Sequence, residues 1–189
     1  MNRNNIFFIF ALVSLSTCNR ARIQNHYERI ENFIGKEIIL PDSIHLVDII
    51  NKVDGNFYLY DTISSIKVTT SIEGDCHVCV SQLKSWESFI NSNKDYFDNV
   101  SFIFFVRAYD YSVFEYLVDE LFFSYPVVYD KSEKYLLYNK LYNSNYQTFL
   151  LNEKNEICLV GNPVKNTELA KLYIQEITKM KDNHIFQNR

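Results

Sequence analysis

Residues 100–106 (Val100, Ser101, Phe102, Ile103, Phe104, Phe105, Val106) are apolar at nearly every position. A strand with one wet face alternates apolar and polar residues. This one has no face for water, so it reads as a central strand buried on both sides. Such a strand requires neighbours and covering layers, and the flanking sequence offers both in turn. Residues 65–72 are rich in β-branched side chains and read as a strand. Beyond them Cys79, Leu83, Trp86, Phe89 and Ile90 recur at helical spacing over about three turns. Residues 112–123 repeat that spacing with Val113, Tyr116, Leu117 and Leu121. A short extended piece follows at 125–129, then a short third helix at 132–141. Residues 147–151 and 157–160 read as two strands of a hairpin joined by 152–156. Asn166 or Thr167 caps a last helix with Leu169, Leu172, Tyr173, Ile177 and Met180 on one face. Earlier, Asp54-Gly55 reads as a hairpin turn between Ile49-Ile50 and residues 57–60. Crossovers through helices imply parallel neighbours, and the late hairpin implies an antiparallel edge. The class is α/β, a mixed central sheet with helices on both faces.

A chain of 189 residues suits one domain. Its net charge is −4, so it lacks the basic excess of a nucleic-acid binder. With Gly at only 4 positions and no Gly-rich phosphate loop, no organic cofactor is implied. The first residues carry one positive charge, Arg3, followed by an unbroken apolar run at 6–13 that Leu15 extends. That run is shorter than the ~20 residues of a membrane-spanning helix and fits a secretory signal. It ends at Leu15-Ser16-Thr17-Cys18, which resembles the lipobox of bacterial lipoproteins; Thr17 departs from the usual Gly, Ala or Ser. The resemblance implies a signal peptide over 1–17, cleavage before Cys18, lipidation of Cys18 and a tether over 18–32. The alternative is a plain signal peptide with Cys18 incidental. The domain proper is then 33–182, with a tail at 183–189. Export places the chain where disulfides form and persist.

The chemistry concentrates at Cys76-His77-Val78-Cys79, where the 65–72 strand hands over to the first long helix. A Cys-x-x-Cys pair at that junction of a βαβ pattern is a redox signature. Unpaired N–H groups and the dipole at a helix N-terminus stabilise a thiolate. Cys76 is then the exposed nucleophile, and Cys79 lies about one turn on, close enough to resolve it by a disulfide. A protonated His77 favours the thiolate, whereas Asp75 opposes it. Glu73 is a candidate to shuttle a proton to Cys79. Two other uses stay open on the residues alone: a static disulfide, or metal binding by Cys76, Cys79 and His77. No second Cys pair completes a zinc site.

These residues resemble the tethered thiol-disulfide oxidoreductases and thioredoxin-like lipoproteins of bacteria, the TlpA/ResA type. The resemblance spans about 33–182. It rests on Gly74-Asp75-Cys76-His77-Val78-Cys79 with Leu83 and Trp86, on residues 125–130, on Thr148-Phe149-Leu150-Leu151-Asn152 with Ile157, and on Phe33-Ile34-Gly35-Lys36. It implies a thioredoxin-like fold with an N-terminal strand addition and a βα insertion. It also implies disulfide exchange with exported proteins through Cys76 and Cys79, recycled by a reductant or oxidant protein. Two positions depart from the pattern. Asp75 stands where Trp is common, and Tyr146 or Gln147 stands where a cis-proline faces the Cys pair. A non-proline cis bond costs ~3–4 kcal/mol, so a trans loop is expected there. Both departures favour the alternative function, a non-catalytic lipoprotein that binds a partner and carries a structural disulfide. Of the remaining residues, Cys158 reads as a buried apolar side chain and Trp86 as core. His26, His45 and His184 read as surface residues, and the Tyr and Phe excess reads as core.

Overall fold

A computed structural model describes residues 30–48, 53–58, 64–142, 144 and 146–187. The signal peptide, Cys18, most of the tether and His26 lie outside the described residues. In chain order the elements are β1 (Ser43–Asp48), β2 (Val53–Tyr58), β3 (Ile66–Glu73), α1 (His77–Ser92), β4 (Val100–Arg107), α2 (Tyr111–Leu121), β5 (Val127–Tyr129), α3 (Lys134–Tyr138), β6 (Thr148–Leu151), β7 (Ile157–Val160) and α4 (Thr167–Gln187). A single 3-10 turn, Pro163–Lys165, precedes α4. The strands form one seven-stranded sheet in the order β2-β1-β5-β4-β3-β6-β7.

The apolar strand β4 takes the middle position, as its sequence requires. It pairs in parallel with β3 on one side and β5 on the other. The steps β3-α1-β4 and β4-α2-β5 advance across the sheet in the same direction. Right-handed crossovers then put both helices on one face. The packing agrees: Leu83, Trp86, Phe114 and Val118 share a core with Phe104 and Val106 of β4, and α4 adds Tyr173 and Ile177. The alternate residues Ile103 and Phe105 face the other way, into a second core with Tyr135, Leu136 and Phe149. There the cover is the short α3 and the N-terminal segment through Ile38 and Leu40. The expected mixed sheet with helices on both faces is present, with the helices unequally shared.

The N-terminal addition is built at both ends of the sheet. Beside β7, Gly35 N–H donates to Ile157 O and Ile38 N–H donates to Asn155 O, each at 2.9 Å. Gly35 adopts φ +76°, a left-handed turn that favours glycine. At the opposite edge, β1 pairs antiparallel with β5 and carries β2 outside it.

Three sequence expectations are corrected. Asp54-Gly55 does not turn the first hairpin but lies inside β2, opposite Val47 and Leu46. Six cross-strand residue pairs set that register and override a local turn preference. Ile49, Ile50, Leu59 and Tyr60 lie outside the described residues. The third helix is five residues long rather than ten. The Asp130 carboxylate starts it by accepting the Lys134 and Tyr135 N–H groups at 2.8 and 2.9 Å. Asn139 ends it by exchanging hydrogen bonds with the Ile39 backbone at 2.7 and 2.9 Å. Finally, the segment from 183 is no separate tail as far as Gln187, because α4 continues through it.

Trp86 anchors the larger core, fully buried with its ring edge-on to Phe89, Phe102 and Phe104. Trp86→Ala is expected to destabilise the domain by about 3–5 kcal/mol, read as a lowered urea midpoint with little change in slope.

Candidate active site

The site is assembled where β3 and β4 end together. Past Glu73 the chain turns at Gly74, whose N–H donates to Arg107 O at 2.7 Å. A Cβ on Gly74 would stand 2.9 Å from Ala108 Cβ and 3.1 Å from Val106 Cγ1, so only glycine permits this approach. Asp75 follows in the turn. Its carboxylate accepts the Tyr109 N–H at 2.7 Å and the Asp110 N–H at 3.4 Å. Asp75 therefore fastens the loop after β4 to the cysteine motif, and leaves the Tyr109 side chain fully exposed beside it.

Cys76 is the N-cap of α1, in extended conformation. Its carbonyl accepts the Cys79 and Val80 N–H groups at 2.8 and 2.9 Å. Its Sγ also receives the Cys79 N–H, at 3.3 Å. A sulfur at this position replaces the oxygen of an ordinary capping residue and shares the Cys79 N–H with the Cys76 carbonyl. The Cys76 thiol is held below its ordinary value, first by the hydrogen bond from the Cys79 side chain and then by the backbone N–H groups. Cys79, one turn inside the helix, is pushed up to about 11 by burial and by its hydrogen bond with Cys76. Both cysteines are partly exposed free thiols. Two cysteines of one sequence motif thus differ in acidity because one sits on the helix end and the other under it.

The charges around the pair differ from the sequence reading. The acidic group that opposes thiolate formation on both sulfurs is Glu73, not Asp75. Glu73 is ion-paired to Arg107, which lies opposite it in the β3–β4 register. His77 begins α1 with an exposed side chain, and the groups that lower the Cys76 thiol are Cys79 and Val78 instead. Among the described residues, no three His, Cys, Asp or Glu side chains are grouped to hold a metal ion.

Cys76 and Cys79 open into a cleft of about 390 Å³ whose walls include Glu73, Arg107, Tyr146, Gln147 and Lys165. Tyr146 and Gln147 therefore line the thiol cleft, at the position where the resembled pattern carries a cis-proline. Gln147 O accepts the Ser71 N–H at 3.2 Å, and the described residues contain no cis peptide bond. A larger apolar cavity, about 550 Å³, lies at the other end of β4 around Phe97, Val100 and Phe102 and includes none of the reactive groups.

Other singled-out residues fall outside this cleft. Cys158 is half-buried, not interior, with Sγ 4.0 Å from Met180 Sδ; burial pushes its thiol up. His45 is no bare surface residue: Nε2 lies 2.7 Å from Asp54 Oδ1 and the ring stacks on Tyr129. His184 lies on α4. Sequence reasoning missed Arg107 and Lys165. An Arg ending an apolar strand was a signal for the first. Lys165 left none, since its place depends on how the turn before α4 folds back.

The fold is similar to that of solved thiol-disulfide oxidoreductases. StoA from Bacillus subtilis is 17% identical, with a TM-score of 0.51 over 70% of this chain and 98% of that one. The thioredoxin domain of a thiol-disulfide oxidoreductase from Bacteroides vulgatus is 12% identical, with a TM-score of 0.54 over 74% and 97%. A secreted disulfide oxidoreductase of Mycobacterium tuberculosis is 12% identical, with a TM-score of 0.50 over 65% and 90%. No family model matches the chain, and no curated protein matches it in sequence. At these identities the likeness is one of fold. The domain is thioredoxin-like, and its structural neighbours are of the type that the cysteine motif resembles.

The two acidities yield a pH profile. In the reduced protein, Cys76 is expected to reach half-maximal alkylation below the ~8.5 of a free thiol, with Cys79 reacting only well above it. Iodoacetamide rates across pH 5 to 11 on the reduced protein with both thiols present, resolved at Cys76 and Cys79 by peptide mass spectrometry, check this. Equal midpoints would contradict it.

Proposed function

We propose that the chain is an exported thiol-disulfide oxidoreductase, anchored by lipid at Cys18 and facing the periplasm. Its reactive groups are Cys76 as nucleophile and Cys79 as resolving thiol. The observation that carries this reading is geometric: Cys76 caps the N-terminus of α1, its Sγ takes the Cys79 N–H at 3.3 Å, and both thiols open to one cleft. The resemblance of fold to solved oxidoreductases supports it, one of them described as secreted.

In the reducing direction, the Cys76 thiolate attacks one sulfur of a substrate disulfide. The substrate S–S bond breaks, a Cys76–substrate S–S bond forms, and the first substrate thiolate leaves and takes up a proton. Cys79 then loses its proton and attacks Cys76 Sγ. The mixed disulfide breaks, the second substrate thiol is released and Cys76–Cys79 is oxidised. Two electrons have passed to the substrate, and an external dithiol protein restores the pair. The oxidising direction is the same sequence reversed. The high value of Cys79 keeps it protonated until the mixed disulfide places a sulfur beside it. Glu73 lines the same cleft, and its proposed role is to take that proton.

The domain boundaries belong to the same proposal: signal peptide 1–17, tether from 18 and folded domain beyond it. Ile30 and Phe33 already pack on the second core, so the fold begins slightly earlier than 33. Among the described residues no helix is long and apolar enough to cross a membrane.

Equilibration of soluble protein from Asn19 onward in graded redox buffers, scored by alkylation, tests the exchange. A reversible two-electron transition between about −120 and −270 mV is expected, whereas a pair closed until below about −300 mV is a structural disulfide. In cells, Cys18→Ser in the full chain is expected to shift the protein from the membrane to the soluble fraction.

A further inference from the structure

The charged groups around the thiols are unevenly satisfied. Glu73 and Arg107 pair with each other across the cleft wall. The Asp75 carboxylate is taken up by the Tyr109 and Asp110 amides, and the Asp110 carboxylate by Ser112. The remaining cation is Lys165, exposed at the end of the turn before α4 and part of the cleft lining. Among the described residues its ammonium has no ion pair and no hydrogen bond. Its charge reaches Cys79, whose thiol it draws downward against the effect of burial. Arg107 adds a second unmet donor, because its Nε is buried without an acceptor. The cleft thus carries one more positive than negative group, although the whole chain carries −4.

We propose that Lys165 selects the substrate: the pair exchanges disulfides of polypeptides that carry an acidic side chain beside the reacting cysteine. This rests on the exchange reading above. A polypeptide joined to Cys76 Sγ must enter or cross the cleft. A rounded space of about 390 Å³ is about 9 Å across, close to one Debye length at physiological salt, so the Lys165 charge is felt by flanking side chains. An acidic neighbour meets an unpaired ammonium there, and a basic neighbour is repelled. Of the nearby acids, Glu73 is neutralised by Arg107, and Asp75 and Asp110, which keep their charge, are not part of the cleft lining.

The test uses three peptides of one sequence, with Asp, Asn or Lys on both sides of a single cysteine capped as a 2-pyridyl disulfide. In the reduced protein the Cys76 thiolate attacks the peptide sulfur. The peptide–pyridyl S–S bond breaks, the peptide–Cys76 S–S bond forms, and 2-thiopyridone leaves with a proton from water. Each rate is divided by that of 2-mercaptoethanol with the same peptide, which removes the intrinsic effect of the flanking charge. The Asp peptide is expected to react about fivefold faster than the Lys peptide at low salt, with the ratio shrinking as salt rises. Lys165→Glu is expected to invert the order. Equal normalised rates, or a preference for Asp that survives Lys165→Glu, overturn the proposal and leave exchange standing. Rates no faster than the reference thiol for all three peptides overturn exchange itself, and the selectivity with it.

Discussion

The site depends on one pairing. Strands β3 and β4 run parallel for eight registered residue pairs, from Ile66 opposite Val100 to Glu73 opposite Arg107. Because they end together, the chain leaving β3 turns directly against the end of β4, at the contact only Gly74 allows. That turn sets the first residue of α1 at the C-terminal ends of these two interior strands and leaves Cys76 as its cap. The same register brings Glu73 and Arg107 together as the wall of the cleft. A slip by one residue would reverse the faces of β4 and remove Phe104 and Val106 from the core that holds α1.

Given that placement, chemical asymmetry follows from helix geometry. Cap and first-turn positions of a helix own donors without intrahelical acceptors. Cys76 Sγ lies against one first-turn N–H, that of Cys79, which it shares with the Cys76 carbonyl. Cys79 sits three residues on, where its side chain is half covered and has Cys76 rather than a donor to face. Local hydrogen bonds dominate the lowering at Cys76, ahead of any charge from His77. Asp75 is likewise a structural residue here: bound to two backbone amides of the next loop, it joins the β3 and β4 ends on the side where Tyr109 projects.

The errors of sequence reading have a shared origin. Asp54-Gly55 has the composition of a turn yet lies in a strand, because cross-strand pairing outweighs a two-residue preference. The third helix is short because Asp130 and Asn139, remote from its apolar spacing, start and stop it by side-chain bonds to the backbone. Asp75 is next to Cys76 in sequence, but it lies in the turn past β3 with its carboxylate bound to the Tyr109 and Asp110 amides, whereas Glu73, the last residue of β3, lines the cleft.

Periodicity and composition were enough for the architecture. The apolar run at β4 required a buried central strand, the helical spacings on either side required crossovers, and the Cys-x-x-Cys spacing put two cysteines at the junction of strand and helix. These are local patterns, set by which side chains water excludes and by the period of each element. Only the tertiary structure decided which charges meet the sulfurs. The Glu73–Arg107 pair arises from strand register over 34 positions of sequence, and Gln147 and Lys165 reach the same cleft from the segment before β6 and from the turn before α4. Electrostatic environment depends on distance in space and on which partners are already taken, and neither is written in the spacing of residues along the chain.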